Sequence, residues 1–366
     1  MIVTGTGGND SRAGSTGNDT LNLFGGNDRG YGGSGADTLF GGNGNDTLDG
    51  GNGNDDVRGE AGNDTLWGGG TDASGSSGND RLYGGTGNDT AFGWSGNDTL
   101  AGGDANDDLR GGNGNDSVLG DGGNDTLLGW NQDDRLDGGA GSDSILGGAG
   151  NDTVSGGDAR DTLDGEAGND TVFGGGGDDY INLLGSGNDT AFGNSGNDLV
   201  YGYVGNEVLA GDSGNDTVLG YTGDDTVTGG GDTDTVYGGT GIDSVSGGRG
   251  SDVLYGGSDA NADFFAFTVT GDGQFGSDLV VDFDEARDYI DLTAAGNLLT
   301  FARLDSDDDN DVDDADDAAF TNAITVDGQF AVALYIDAGA AFGGPFGSER
   351  LIVFGVSSLS IVDFLE

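Results

Sequence analysis

Along most of this chain one apolar residue returns every nine positions, set off from the next by glycine, asparagine, aspartate and threonine. It stands two places after an acidic residue, and the acidic residue itself keeps phase through three blocks. The first block runs Asp10, Asp19, Asp28, Asp37, Asp46, Asp55 and Asp64. The second follows a seven-residue insertion near 71–77 and runs Asp80, Asp89, Asp98, Asp107, Asp116, Asp125, Asp134, Asp143, Asp152, Asp161, Asp170 and Asp179. The third, displaced by one residue, runs Asp189, Asp198, Glu207, Asp216, Asp225, Asp234, Asp243 and Asp252. These 27 units are self-similar at a short fixed period, which is the mark of a solenoid rather than of a globular core.

Each unit divides into a loop and a strand. Glycine stands two residues before the acidic position in 23 of the 27 units, with Ala105, Gln132, Ala159 and Asp232 as exceptions, as turns that need positive φ require. An apolar residue stands two places after it in 25 units, broken by Arg12 and Gly30, and threonine directly follows it in 14. A β-branched residue suits the outward face of a pleated strand, so the second half of each unit reads as a short strand with one side chain turned inward.

Composition sharpens this picture. The 366 residues carry 66 acidic and 11 basic side chains, a formal charge of −55, with 83 glycines, one proline and 33% hydrophobic residues. Such a chain repels itself into disorder unless something neutralises it, and multivalent cations are the obvious agent. Nucleic acid and anionic membrane are excluded as partners, because both need lysine and arginine clusters that are absent. Without histidine or cysteine there is no disulfide framework, no thiol site and no imidazole base or ligand. The first residues lack the charged and apolar regions of a secretory leader, and no stretch approaches the roughly 20 apolar residues of a membrane span.

Units such as GGNGNDTLD (Gly41 to Asp49) and GGTGNDTAF (Gly84 to Phe92) resemble the RTX (repeats-in-toxin) nonapeptide, glycine-glycine-x-glycine-x-aspartate-x-apolar-x, over roughly residues 5–257. The resemblance implies an all-β fold, a parallel β-roll solenoid in which each unit is half a coil. It also implies Ca2+ between loops two units apart on one edge, held by the phased aspartates and by loop carbonyls, the hard oxygen donors this ion prefers. The 27 units offer at most 25 such pairs, and about that many divalent ions would nearly cancel the net charge, so about 20 or more Ca2+ are expected. One small apolar residue per unit is too thin a core to offset the ordering of a glycine-rich backbone, so calcium binding and folding are expected to be one event.

From about Ser258 the phase stops, and 12 of the 17 phenylalanines and the only proline follow Gly257. This marks 1–257 as the roll and 258–366 as a second module. FFAFTV (Phe264 to Val269), LVVDF (Leu279 to Phe283), FAVALYI (Phe330 to Ile336) and RLIVF (Arg350 to Phe354) read as strands of a β-rich cap for the open solenoid edge. ADFFAF, SDLVVDFDEARDYIDL (Ser277 to Leu292) and LIVFGVSSLSIVDFLE (Leu351 to Glu366) resemble the C-terminal domain of serralysin-type metalloproteases. That likeness implies export by type I secretion machinery that reads the extreme C-terminus, here ending in Glu366 rather than an apolar residue. The family's H-E-x-x-H catalytic helix is missing. DSDDDNDVDDAD (Asp305 to Asp316) resembles an EF-hand or dockerin-like calcium loop, with Asp305, Asp307, Asp309, Asp313 and Asp316 as ligands, Asn310 where glycine is usual and Asp316 in the place of glutamate. Phe320 and Ile324 after it have the spacing of an exit helix.

Several functional classes compete. A non-enzymatic, secreted calcium-binding protein at the cell surface or outside the cell accounts for every phased aspartate. Glycoside chemistry by paired carboxylates would reuse residues already explained as ligands. A surface-layer, adhesin or biofilm component that self-assembles or binds cell-surface polysaccharide fits a stiff rod, as does an export and folding module of a larger secreted enzyme. Aromatics three residues after the aspartate (Tyr31, Phe40, Trp67, Tyr83, Phe92, Phe173, Phe192, Tyr201, Tyr237, Tyr255) face outward but fall on odd and even units alike, which favours scattered surface residues over a sugar platform. Ice binding would want threonine before the loop glycine, which occurs only at 16, 86, 222 and 240.

Overall fold

The computed structural model describes residues 1–69, 78–257, 259–269, 277–281, 289–294, 297–300, 320–326, 330–337 and 350–356, with side chains described to 266 and at 278–281. Among these residues there is no helix, and 28 short strands between Ile2 and Tyr255 alternate with tight loops, two strands to a coil. The chain is an all-β parallel solenoid of the β-roll type with about 14 coils, in two compact units, 1–190 and 191–366.

In the first unit the strands alternate between two parallel sheets. Sheet I begins Ile2–Thr6, Thr20–Phe24, Thr38–Asn43 and Asp56–Ala61 and ends with Thr171–Gly176. Sheet II includes Thr65–Gly69, Thr90–Ser95, Asp108–Asn113, Thr126–Asn131, Ser144–Ala149 and Thr162–Ala167. Partners lie 18 residues apart, as in Leu109 against Leu127. The insertion changes that offset to 25, as in Val57 against Leu82, without breaking the ladder, although residues 70–77 themselves lie outside those described.

Strand alternation gives each unit one inward side chain, and these form the core: Leu39, Val57, Leu82 and Leu100 from sheet I, and Leu48, Leu66, Ala91 and Leu109 from sheet II, all fully buried. Gly30 breaks the apolar rule without leaving a void. A Cβ there would touch Leu23, Leu39 and Leu48, and Leu23 is a buried leucine where most units carry glycine.

In the second unit, strands Val208–Ser213, Thr226–Gly231 and Ser244–Arg249 pair in parallel, as do Leu199–Val204, Thr217–Thr222, Thr235–Thr240 and Val253–Tyr255. Parallel pairing runs on past Gly257: Ser244–Arg249 pairs with Phe264–Val269, that strand with Tyr289–Ala294, and Val253–Tyr255 with Ser277–Val280. Beyond it the sheet turns antiparallel, with Phe320–Val326, Phe330–Asp337 and Arg350–Val356 in sequence. The expected exit helix at Phe320 is therefore a strand. Thr321, Ile324, Thr325 and Val326 are β-branched and face a complete partner strand, which outweighs two apolar residues at helical spacing.

Candidate metal centre

Each loop delivers its aspartate to the same place. Two loop positions take left-handed backbone, two and four residues before the aspartate, such as Gly44 (φ 123°) and Gly42 (φ 106°) before Asp46. The four sequence exceptions obey the same geometry: Ala105, Gln132, Ala159 and Asp232 have φ between 70° and 79°, so the loop imposes its shape on residues that resist it. The glycine five residues before the aspartate lets the carboxylate turn inward, since a Cβ on Gly41 would strike the Asp46 carboxylate and the Gly59 carbonyl.

The turned-in carboxylates stack coil upon coil. Within each compact unit, Oδ1 at rung after rung accepts the amide of the phased residue one coil earlier: Asp28 from Asp10 (2.6 Å), Asp46 from Asp28 (2.7 Å), Asp116 from Asp98 (2.7 Å), Asp225 from Glu207 (2.9 Å). The ladder absorbs the insertion, as Asp80 accepts from Asp55, and the one-residue shift, as Asp189 accepts from Asp170, both at 2.8 Å. The phased aspartates from Asp19 to Asp252 are all buried, and Asp10 nearly so. The structure thus brings phased aspartates two units apart in sequence together as adjacent rungs on one edge.

The other carboxylate oxygen is left over. Oδ2 of Asp28, Asp37, Asp46, Asp55, Asp64, Asp80, Asp89, Asp98, Asp107, Asp116, Asp125, Asp134, Asp143, Asp152, Asp161 and Asp170, and of Asp216, Asp234 and Asp243, is buried with no hydrogen-bond partner. Buried polar atoms of this kind are strongly disfavoured unless something absent from the polypeptide satisfies them. Burial pushes the carboxyls up, against the pull of the amide bond, with neighbouring rungs adding repulsion: to about 7 for Asp55 and Asp89, and about 8 for Asp80, Asp134 and Asp234. Asp10 and Asp19 go the other way. The Thr6 hydroxyl and amide hold Asp10 down, and the terminal ammonium and the Ser15 amide hold Asp19 down.

A row of buried oxygens with negative charge and no nitrogen or sulfur donor fits hard divalent cations. Among the described residues no three acidic side chains gather in one cluster, so a cation between two rungs would need loop carbonyls to complete its shell. Those carbonyls are at hand: a Cβ on Gly44 would strike the Gly26 carbonyl, and one on Gly62 the Gly44 carbonyl, one coil back in each case.

Two features of this edge escaped the periodic reading. Asp263 and Asp278 extend the ladder beyond 257, accepting from the amides of Asp243 (3.0 Å) and Asp252 (3.1 Å). Asp278 carries the signature out of phase, as Gly276-x-Asp278-x-Val280. A second ladder runs beside the first in the opposite sense, where the asparagine before the aspartate accepts the amide of its counterpart one coil later, as Asn27 does from Asn45 (3.2 Å) and Asn79 from Asn97 (2.9 Å). Asparagine at that position in 18 of 27 units was its visible signal. The calcium-loop candidates Asp305, Asp307, Asp309, Asp313 and Asp316 lie outside the described residues.

Comparison with known proteins agrees with this geometry. The RTX calcium-binding nonapeptide repeat (4 copies) matches in overlapping segments at 4–39, 40–72, 74–109, 101–136, 110–145, 131–163, 146–181, 184–218, 201–236, 210–245 and 228–262. The fold and the carboxylate ladder define a calcium-binding repeat protein. The chain belongs to the RTX calcium-binding nonapeptide repeat family. No curated protein matches it. Among solved structures it is similar to a hyperactive, Ca2+-dependent, β-helical antifreeze protein from an Antarctic bacterium, at 18% identity over 81% of this chain and 96% of that one, with a TM-score of 0.32.

Proposed function

We propose that this chain is a secreted, non-enzymatic calcium-binding protein whose roll is assembled by many Ca2+ ions and serves as a structural element at the cell surface or outside the cell. The observation that carries this reading is the buried row of Oδ2 atoms without partners, repeated at nearly every rung. Same-edge aspartates such as Asp98 and Asp116, with carbonyls of the flanking loops, would hold an ion between them. Calcium supplies charge neutralisation there and joins successive coils. The chain's own residues do the rest: the left-handed loop positions aim the carboxylates, the amide bonds fix Oδ1, and the inward leucines and valines exclude water.

The test is calcium titration of chelator-treated protein, followed by far-ultraviolet circular dichroism with bound ions counted by equilibrium dialysis. A cooperative coil-to-β transition with about 20 or more ions per chain supports the reading, and binding without any transition overturns it. Zinc in the purified protein, or cleavage of a polysaccharide by it, would overturn the non-enzymatic part. The serralysin-like C-terminus supports export by type I secretion machinery, and normal export of a chain ending at Gly257 would remove that element. A second reading, the export and folding module of a larger secreted enzyme, is favoured by the same serralysin likeness, and a catalytic domain on the same polypeptide in the native host would establish it.

A further inference from the structure

The chain has three tryptophans, and all three lie on the outer face of sheet II in the first unit. Register puts Trp67, Phe92, Arg110, Leu128 and Leu146 side by side on five consecutive strands, with Asp49 before them and Asp164 after. Two residues further along each strand, Trp94 and Trp130 stand on alternate strands with Gly112 in register between them. Of the ten aromatics three residues after the aspartate, Trp67 and Phe92 lie on this strip, whereas Phe40 and Tyr83 lie on sheet I and Tyr201, Tyr237 and Tyr255 in the second unit. Arg110 is held by both oxygens of Asp108 (2.9 and 2.7 Å) and lies 4.9 Å over the Phe92 ring, while Trp94 stacks on Phe92 at 6.0 Å.

Trp94 and Trp130 occupy the loop position four residues before the aspartate, with φ of 76° and 84°, where many other units have glycine. Both rings are 38% exposed. A bulky residue in left-handed backbone, open to solvent, contributes nothing to the core and strains the loop.

We propose that this strip binds a neutral, linear polysaccharide, with sugar rings stacked on Trp67, Trp94 and Trp130. Size decides between sugar and protein. Five strands at about 4.8 Å and two residues of width at about 3.3 Å each give a strip on the order of 200 Å² once side chains are included, far short of the roughly 800 Å² per partner of a stable protein interface. Width for one extended chain, with Trp67 on the strand next to Trp94 and Trp130 two strands further on, suits a polymer of pyranose rings. Charge decides which polymer: the cation on the strip, Arg110, is already paired to Asp108, and Asp49 and Asp164 stand at the two ends, so a polyanion finds repulsion there and no free partner. The inference rests on the calcium-loaded roll proposed above.

Because every tryptophan is in the strip, intrinsic fluorescence reports on it alone. The calcium-loaded full chain is titrated with hexasaccharides of β-1,4-glucose, β-1,4-N-acetylglucosamine, β-1,3-glucose and β-1,4-mannose, and with hexaguluronate as the anionic control. A saturable spectral shift with at least one neutral sugar is expected. Affinity should fall at least tenfold in the double variant Trp94→Gly/Trp130→Gly, which the loop accommodates as it does glycine in other units, with circular dichroism and calcium uptake unchanged. No response to any neutral sugar, preference for hexaguluronate, or equal binding by the double variant overturns the proposal. So does a fluorescence shift that tracks protein concentration and sedimentation, which would make the strip a contact between copies. Failure of the calcium-dependent transition before any sugar is added is a different result and strikes the roll itself.

Discussion

The inner edge and the outer face of the roll follow opposite rules. At the edge every coil repeats the same carboxylate, amide and glycine, and the few departures, such as Ala105 and Gln132, are bent into the common shape. On the face, Thr65, Thr90 and Thr126 alternate with Trp67, Arg110, Asp164 or a bare glycine, and the outward residue changes from coil to coil. The edge is where a solenoid with one inward side chain per unit must find its cohesion, so it tolerates little. The face is free of that duty and carries whatever individuality the chain has.

The largest consequence concerns the edge as a whole. Removing calcium at neutral pH leaves a column of buried carboxylates that the fold cannot keep ionised, and the far-ultraviolet β signal should be lost. Acid should restore it. In the metal-free fold Asp134 has its carboxyl raised from 3.8 to about 8, so the folded state holds its proton more tightly than the unfolded chain. Its contribution therefore favours folding below about pH 4 and is lost as the pH climbs toward 8. Circular dichroism in chelator across pH 3 to 8 checks this, and a metal-free chain that is more ordered at pH 8 than at pH 4 would contradict it.

A single rung should show the same inversion on a smaller scale. Asp134→Asn keeps the shape but removes a charge between Asp116 and Asp152. With calcium bound, the sites it borders should weaken at least tenfold and the thermal midpoint fall. In chelator the same change should make the neutral-pH chain slightly easier to fold, because a desolvated charge has gone. Calcium counting and thermal melts in both conditions separate the two signs.

Much of this was legible beforehand because a nine-residue period writes the edge into the sequence many times over. The phased aspartates, the loop glycines and the inward apolar residues all sit where their spacing placed them. Phase was also the limit of what could be read. Asp278 has the local Gly-x-Asp-x-apolar signature but stands out of step, since the ladder joins it to Asp252 across 26 residues rather than 18. The asparagine ladder does not stand out in the period because asparagine is ordinary in turns. The tryptophan strip needed the third dimension: Trp67, Trp94 and Trp130 are unevenly spaced in sequence, and only coil register sets them on one face.

Glycine positions divide by how much they resist change. Gly41→Ala places a Cβ against both the Asp46 carboxylate and the Gly59 carbonyl, neither of which has room to move, so a loss of about 2 to 4 kcal/mol is expected, read as a fall in the thermal midpoint of the calcium-loaded chain. A loss no larger than that of an ordinary surface alanine would mean that the carboxylate does not lie where the ladder puts it.

The smallest effect has the opposite sign. Ala105 adopts φ 79° where 23 other units supply glycine at the same loop position, so Ala105→Gly should remove strain of about 1 kcal/mol, less what the freer unfolded chain takes back. The net gain should be a few tenths of a kcal/mol, visible as a slightly higher thermal midpoint with calcium stoichiometry unchanged. Should the midpoint fall instead, the edge tolerates alanine in left-handed backbone without penalty, and the loop glycines would have to be explained by their closeness to the neighbouring carbonyls rather than by their φ.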